Sequence, residues 1–485
     1  MPLNQLTEQE QANIIGSLTP RQTKRSGKDK SRVVARGDQM VEGLHYKRSH
    51  SPTIMHVSLR FLFALACVLG LSIIGGDFSQ AYINADLPRA EWYHMWPPTS
   101  ARQYDEMGRR LVWLVKKSLY GGKNAGRNWY LKLRKFLKDT GFKQCFCEPC
   151  IFFMHTASGG LIIIGVYVDD LITLYSSETE MRELYAKISA LFDFTPQEPL
   201  VDICGIEVKQ SPGCIILTLT AYIIKMATHY LSEEERKVNV KTPCDDTLPE
   251  LVDIAISQTG VIDLVLLRLY RALVGALLFA ITTVRAEAAY AIGKLAKAMN
   301  KPTPELLIAA KRLLQYLYST REIGIKYTRR PDSYLHGSSD SDWGVKASIS
   351  GFAFFLANAV ISFLSKQQPT LAMSSNQAEI YAASLAGLEG TFFISMWQQI
   401  TGHDISPIDL DVDAKSAVDS SQDFISNSRV RHYERRQLKI RELVDRGLIN
   451  TNHVGTDDNV SDIFTKPLGY RRFEKLRRIL LNMSP

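Results

Sequence analysis

Two adjacent acids, Asp169 and Asp170, interrupt a long apolar run, Leu161 to Tyr175 (LIIIGVYVDDLITLY), and a third acid, Asp77, follows an apolar stretch and two glycines. The β-branched arms on either side of Asp169-Asp170 read as a hairpin with the acids at its bend. An Asp-Asp pair alone is an ordinary turn. These arms, however, are apolar on both faces, as strands of a buried sheet are. Neighbouring carboxylates there repel one another and resist desolvation, so both stay ionised only beside a divalent cation. Magnesium, which prefers oxygen ligands and substrate phosphates, suits them. Two such ions about 3.5 to 4 Å apart can activate an attacking hydroxyl and stabilise a leaving phosphate oxygen.

The chain that must hold these acids has 485 residues, 45% hydrophobic and 22% charged, which excludes collagen-like, disordered and coiled-coil classes. Its length suggests about three domains. The net charge of +8 is unevenly spread: Lys116 to Lys138 carries eight Lys/Arg and no acid, and 429–446 carries seven against three. Both stretches suggest a polyanion partner, although the second alone reads as a solvated helix face. Seven cysteines form no disulfide framework and fit a reducing compartment. Cys145, Cys147 and Cys150 lack a fourth ligand at finger-like spacing and read as small buried hydrophobes. The N-terminus shows no secretory pattern. The most apolar stretch, Phe61 to Ile74, falls short of the roughly 18 residues a membrane span needs. The expectation is an intracellular protein, cytoplasmic or nuclear, with no membrane partner.

Residues 1–29 show no period and read as a flexible basic tail. From Lys30, SRVVARG reads as a strand, 55–74 as a buried helix ended by Gly75 and Gly76, and a strand carrying Asp77 follows. Residues 125–140 read as a basic amphipathic helix with Trp129, Leu133 and Leu137 on one face. A helical region spans 262–320, where Thr303-Pro304-Glu305 supplies cap, first-turn proline and acid. A boundary is expected at 328–336. Beyond it come two strand-like runs in 351–364, a helix opened by Ser374, a strand at 408–412 and a basic helix stopping at Gly447, the order of a small α/β domain.

Three motifs then carry a resemblance: Asp77-Phe-Ser-Gln-Ala-Tyr-Ile-Asn, Lys117-Ser-Leu-Tyr-Gly-Gly-Lys-Asn-Ala-Gly-Arg-Asn-Trp-Tyr and Tyr167-Val-Asp-Asp. In order and spacing they resemble the polymerase motifs of copia-type LTR retrotransposon reverse transcriptases, and similar segments recur from Lys30 to about Phe473. The resemblance implies a multi-domain α/β and α+β chain. Polymerase fingers and palm would occupy 30–246, shortened at the N-terminus, and a helical thumb-like region 247–330. After a linker at 331–336 would come a ribonuclease H-like mixed five-stranded sheet with flanking helices at 337–468, then a basic C-terminal helix at 469–485.

It further implies that Asp77, Asp169 and Asp170 hold two magnesium ions for attack of a primer 3′-hydroxyl on a deoxynucleoside triphosphate. Tyr82 matches the aromatic that excludes a 2′-hydroxyl. Tyr167, Lys123 and Arg127 would contact template, primer or nucleotide, with Lys30, Arg32 and Arg36 as weaker triphosphate contacts. Asp340, Glu379, Asp413 and Asp462 follow the order of the family's ribonuclease H acids, which bind two further magnesium ions, or manganese in their place, and hydrolyse RNA in an RNA:DNA hybrid. His453 is an auxiliary candidate for product release and equally a plain surface histidine.

The implied activity is RNA-directed DNA polymerase with ribonuclease H, acting on RNA template, DNA primer and hybrid. The alternatives are an inactive relic that still binds nucleic acid, or a chain in which only the ribonuclease H works. Gly122, Asn124 and Gly126 replace the family's Leu, Gln and Pro and are expected to loosen that loop. Gly75-Gly76 is expected to weaken its strand.

Overall fold

The β-branched runs flanking Asp169-Asp170 pair as an antiparallel hairpin, Leu161–Tyr167 with Asp170–Tyr175, at the centre of a six-stranded sheet. A computed structural model describes residues 1–23, 29–331, 333–344, 347–422 and 438–483. The chain divides into two compact units. The first comprises residues 1–54, 74–145 and 149–198; the second comprises 55–73, 146–148 and 199–485.

In the first unit the strand order is Phe194–Gln197, Ser72–Phe78, Asp170–Tyr175, Leu161–Tyr167, Ile151–His155, Lys143–Gln144. Helix Ala125–Asp139 buries Trp129, Leu133 and Leu137, four residues apart, and helix Glu178–Leu191 buries Met181, Leu184, Tyr185 and Ile188. Both rows pack on Ile74, Phe78, Ile162 and Ile164 of the sheet. The glycines before Asp77 have a packing reason: a Cβ on Gly76 would lie 2.0 Å from the Phe194 ring. The strand is pinned there rather than weakened.

The expected tail is corrected for residues 1–23. Thr7 and Glu10 form a capping box on helix Glu8–Ala12, and Ser17–Leu18 pairs with Val34–Ala35. Ile15 is 2% exposed in a cluster with Ala35, Met40, Tyr93 and Met95. Lys30 therefore does not mark where structure begins.

The second unit begins with a helix shorter than expected, His56–Leu69, stopped by left-handed Gly70 (φ 68°), so Ile73, Ile74, Gly75 and Gly76 belong to the Asp77 strand. Arg60 on this helix is buried and donates to the carbonyls of Thr282, Thr283 and Ile361. A four-stranded antiparallel sheet (Asp202–Ile203, Ile206–Ser211, Cys214–Thr218, Ile325–Thr328) adjoins helices Leu264–Thr283, Ala289–Lys297 and Pro304–Ser319, the last capped by Thr303. Leu264–Thr283, not Phe61 to Ile74, is long and apolar enough by length and composition to cross a membrane. Its Tyr270, Leu273, Val274, Leu277 and Ile281 are nonetheless buried within the unit.

The expected mixed sheet is present, in the order Ala359–Gln367, Ile349–Leu356, His336–Asp342, Ile408–Val412, Ile449–His453. The first two pairings are antiparallel and the last two parallel. Helix Ser375–Thr401 packs on it, its first turn capped by Ser374. The linker expected at 331–336 separates no compact units. Bonds from Tyr327 to the Val360 carbonyl and from Asn482 to the Lys326 carbonyl tie its two sides together. The compact units part instead at Glu198 and Pro199, well before the boundary expected at 246. Of the basic stretch 429–446, residues 429–437 lie outside the described residues.

Candidate active sites

Asp77 enters the first site from the sheet, where the Phe78 amide donates to the Asp169 carbonyl at 3.0 Å. The hairpin register Tyr167↔Asp170 leaves a two-residue loop, Val168-Asp169. Val168 carries φ 57°, a left-handed conformation that costs a β-branched residue of order 1–3 kcal/mol. The buried Trp129 indole holds it, donating to the Val168 carbonyl at 2.6 Å. The hairpin arms are buried as expected, but Asp77 is exposed and Asp169 and Asp170 are half-buried. These acids sit at the rim of the apolar sheet, where water reaches them.

Beside them, the Tyr82 and Tyr120 rings lie 4.7 Å apart, and the Arg32 guanidinium sits 4.3 Å above Tyr120. Burial, then the Asp169 charge, raises the Tyr82 phenol. Tyr120, absent from the sequence-derived set, has a buried hydroxyl with no hydrogen-bond partner. Its place after Lys117-Ser-Leu was the available signal.

Arg36 is spent on Asp38 at 2.7 Å, and Arg127 donates to the His50 carbonyl. Lys123 is exposed, Tyr167 is half-buried, and the Lys30 side chain lies outside the described ones. Asn124, expected to loosen its loop, is buried and donates to Glu91, while a Cβ on Gly121 would lie 2.2 Å from the Ala35 carbonyl. In the basic stretch, Lys135 pairs with Asp139 and Lys132 lies 3.7 Å from Asp86. Lys117, Lys123 and Lys138 remain exposed for a polyanion.

In the second site, Asp340 lies on strand His336–Asp342, whose parallel neighbour pairs Val412 with Ser339, so Asp413 emerges beside Asp340. Gly351, opposite Asp340, lets residues 460–465 lie on the sheet, since a Cβ there would come within 2.8 Å of Phe464 and Thr465. That segment brings Asp462 in. Ligand oxygens of Asp340, Asp413 and Asp462 all lie within 4.8 Å of one another, the one such three-residue group among the described residues.

Glu379, near the start of helix Ser375–Thr401, accepts the Ser341 amide through Oε1 at 3.2 Å. Its Oε2 is buried and has no hydrogen-bond partner. Burial, then Asp462, pushes Asp340 up to about 7. Burial, then Asp340 and Asp413, pushes Glu379 up to about 9. Lys466 lies 2.7 Å from Asp462, which Arg472 also contacts. The Thr465 hydroxyl donates to Asp340, and exposed His453 contacts the Asp413 carbonyl at 3.1 Å. An orphaned carboxylate oxygen beside three converging acids is the donor set of a hard, oxygen-ligated cation.

Residues 18–241 match the family described as "Reverse transcriptase (RNA-dependent DNA polymerase)". The Pol polyprotein from transposon TNT 1-94 of Nicotiana tabacum is 26% identical over 93% of this chain, and that from transposon RE1 of Arabidopsis thaliana 28% identical over 92%. Over most of its length this chain is similar to retrotransposon Pol polyproteins. It spans about a third of the length of those curated relatives, 34% and 30%. A foamy viral protease-reverse transcriptase in complex with dsDNA overlaps 91% of the chain and 78% of its own at 12% identity, with a TM-score of 0.48. The reverse transcriptase match begins at residue 18, inside the segment expected to be a tail, and ends before the second site. The sheet carrying that site has the five-stranded mixed form expected from the sequence.

Proposed function

We propose that the chain is an RNA-directed DNA polymerase joined to a ribonuclease H, with RNA template, DNA primer, deoxynucleoside triphosphates and RNA:DNA hybrid as its substrates. The observation that carries the reading is the convergence of Asp340, Asp413 and Asp462 within 4.8 Å, with the Glu379 Oε2 left bare beside them. For the polymerase, support comes from the Asp77 strand hydrogen-bonded to the Asp169 loop, next to the Tyr82–Tyr120 wall.

Asp77, Asp169 and Asp170 would hold one pair of magnesium ions, and Asp340, Glu379, Asp413 and Asp462 the other. When bound, the ions lower the pKa of an attacking oxygen and offset charge on a leaving one. The chain's own part is positioning. Trp129 fixes the Val168-Asp169 loop, and Tyr82, packed at a tilt against Tyr120, forms the wall for the incoming sugar. In the nuclease, the Ser341 amide orients Glu379, Thr465 orients Asp340, and Lys466 pairs with Asp462.

The test is one incubation with primed RNA template, deoxynucleotides and magnesium, following primer extension and RNA shortening together. Asp169→Asn will abolish extension and spare cleavage, and Asp413→Asn will do the reverse. Equal loss of both activities from either change refutes two separate sites. Cleavage without extension in the unaltered chain would leave only the nuclease. Neither activity, with binding retained, would leave a nucleic-acid-binding relic.

A further inference from the structure

Helix Ala289–Lys297 carries Tyr290, Gly293, Lys294 and Lys297 along one face. That face borders a small cleft closed on its other side by Ile349, Ser365, Lys366 and Gln367. The helix and strand are in contact there: a Cβ on Gly293 would lie 3.7 Å from the Ser365 carbonyl, an ordinary van der Waals distance.

Ser365 is the register partner of Gly351, which is the partner of Asp340. Cross-strand partners point to the same face of a sheet, and two strand spacings are about 9.6 Å. The helix thus meets the sheet on the face that carries the nuclease acids, roughly 10 Å to the side of Asp340.

The cleft is cationic and uncompensated. Among the described residues Lys294, Lys297 and Lys366 make no ion pair, whereas Lys311 and Arg312 on helix Pro304–Ser319 do. Lys294 lies 5.4 Å from the Tyr290 ring, with Asp253 and Asp342 acting on it only at a distance. Burial pulls both helix lysines below their usual range, and Lys294 pulls Lys297 further. An anion between them relieves both costs. The cleft's volume, about 30 Å³, admits a phosphate oxygen and no base.

We propose that Lys294, Lys297 and Lys366, with Tyr290, form a phosphate-binding cleft that holds the backbone of an RNA:DNA hybrid beside the four-acid site, a few nucleotides from the bond cleaved. This rests on the nuclease reading, but its test does not need cleavage. Binding of a short RNA:DNA hybrid is measured in EDTA across a salt series for the full chain, for Lys294→Gln/Lys297→Gln, and for Lys294→Arg/Lys297→Arg.

Each phosphate contact contributes about 0.9 to the slope of log K against log salt, so the glutamine pair will be shallower by about 1.8 and the arginine pair unchanged. Lys366→Gln will lower the slope by about 0.9. Equal slopes in the unaltered chain and the glutamine pair overturn the cleft, as does failure of the unaltered chain to bind. A difference abolished by inorganic phosphate at constant ionic strength also overturns it, making the cleft a free-anion site. Magnesium-dependent cleavage with equal slopes refutes the cleft alone. A shallower slope without cleavage refutes the nuclease alone.

Discussion

Glu379→Gln will make the metal-free chain more stable at neutral pH. In the folded chain burial, then Asp340 and Asp413, pushes this carboxyl from 4.5 up to about 9. Between those values the folded chain keeps a proton that the unfolded chain releases. Stability is therefore fully present below the unfolded pKa and falls as pH rises. At pH 7, 2.5 units above the unfolded value of 4.5, the loss is about 3 kcal/mol at 1.36 kcal/mol per unit. Glutamine does not titrate, and its amide oxygen keeps the bond from the Ser341 amide. Denaturant unfolding of both proteins in EDTA, repeated from acid to mildly alkaline pH, reads the difference. The two curves will run together at acid pH and separate by about 3 kcal/mol at pH 7, with the variant the more stable. Magnesium will close the gap by stabilising the ionised form of the unaltered chain. Parallel pH profiles for the two proteins in EDTA would refute the assignment of a buried, proton-holding Glu379.

Gly76→Ala will force the Phe194 ring aside and lower stability by about 1–3 kcal/mol in denaturant unfolding, with primer extension falling more than hybrid cleavage. Phe194→Leu in the same chain will recover part of the loss if the ring is the cause. Arg60→Met will leave the Thr282, Thr283 and Ile361 carbonyls unpaired, a cost of about 3 kcal/mol or more, read as a lower unfolding midpoint.

Residues that the motif order groups are also brought together by the fold: Asp77 and Asp170 lie on neighbouring strands with Asp169 in the loop between the hairpin arms, and three of the four later acids converge. Local caps were legible too, at Thr303 and Ser374. What failed depended on distant partners. Thr7-x-x-Glu10 is a readable capping box, yet nothing local announces that Ile15 is buried against Met40 and Met95. The helix before Asp77 was drawn too long because a strand buried on both faces continues the same apolar run, and Gly70 rather than Gly75 carries the left-handed turn. Tyr120, Lys294 and Lys297 acquire meaning only from what the fold brings beside them.

The helix His56–Leu69 belongs to the second unit, although the sequence on both sides of it belongs to the first. Its packing partners include the strand Ala359–Gln367, so about 290 residues must be synthesised between the helix and that strand. At roughly 5 to 20 residues per second, the ribosome presents an apolar helix without its partner for about 15 to 60 s. The first unit's own chain is complete by residue 198, but the second unit waits for its last strands. A truncated transcript, or a protease cut ahead of residue 359, leaves that helix as a sticky surface. The second unit is thereby tied to a single uninterrupted act of translation.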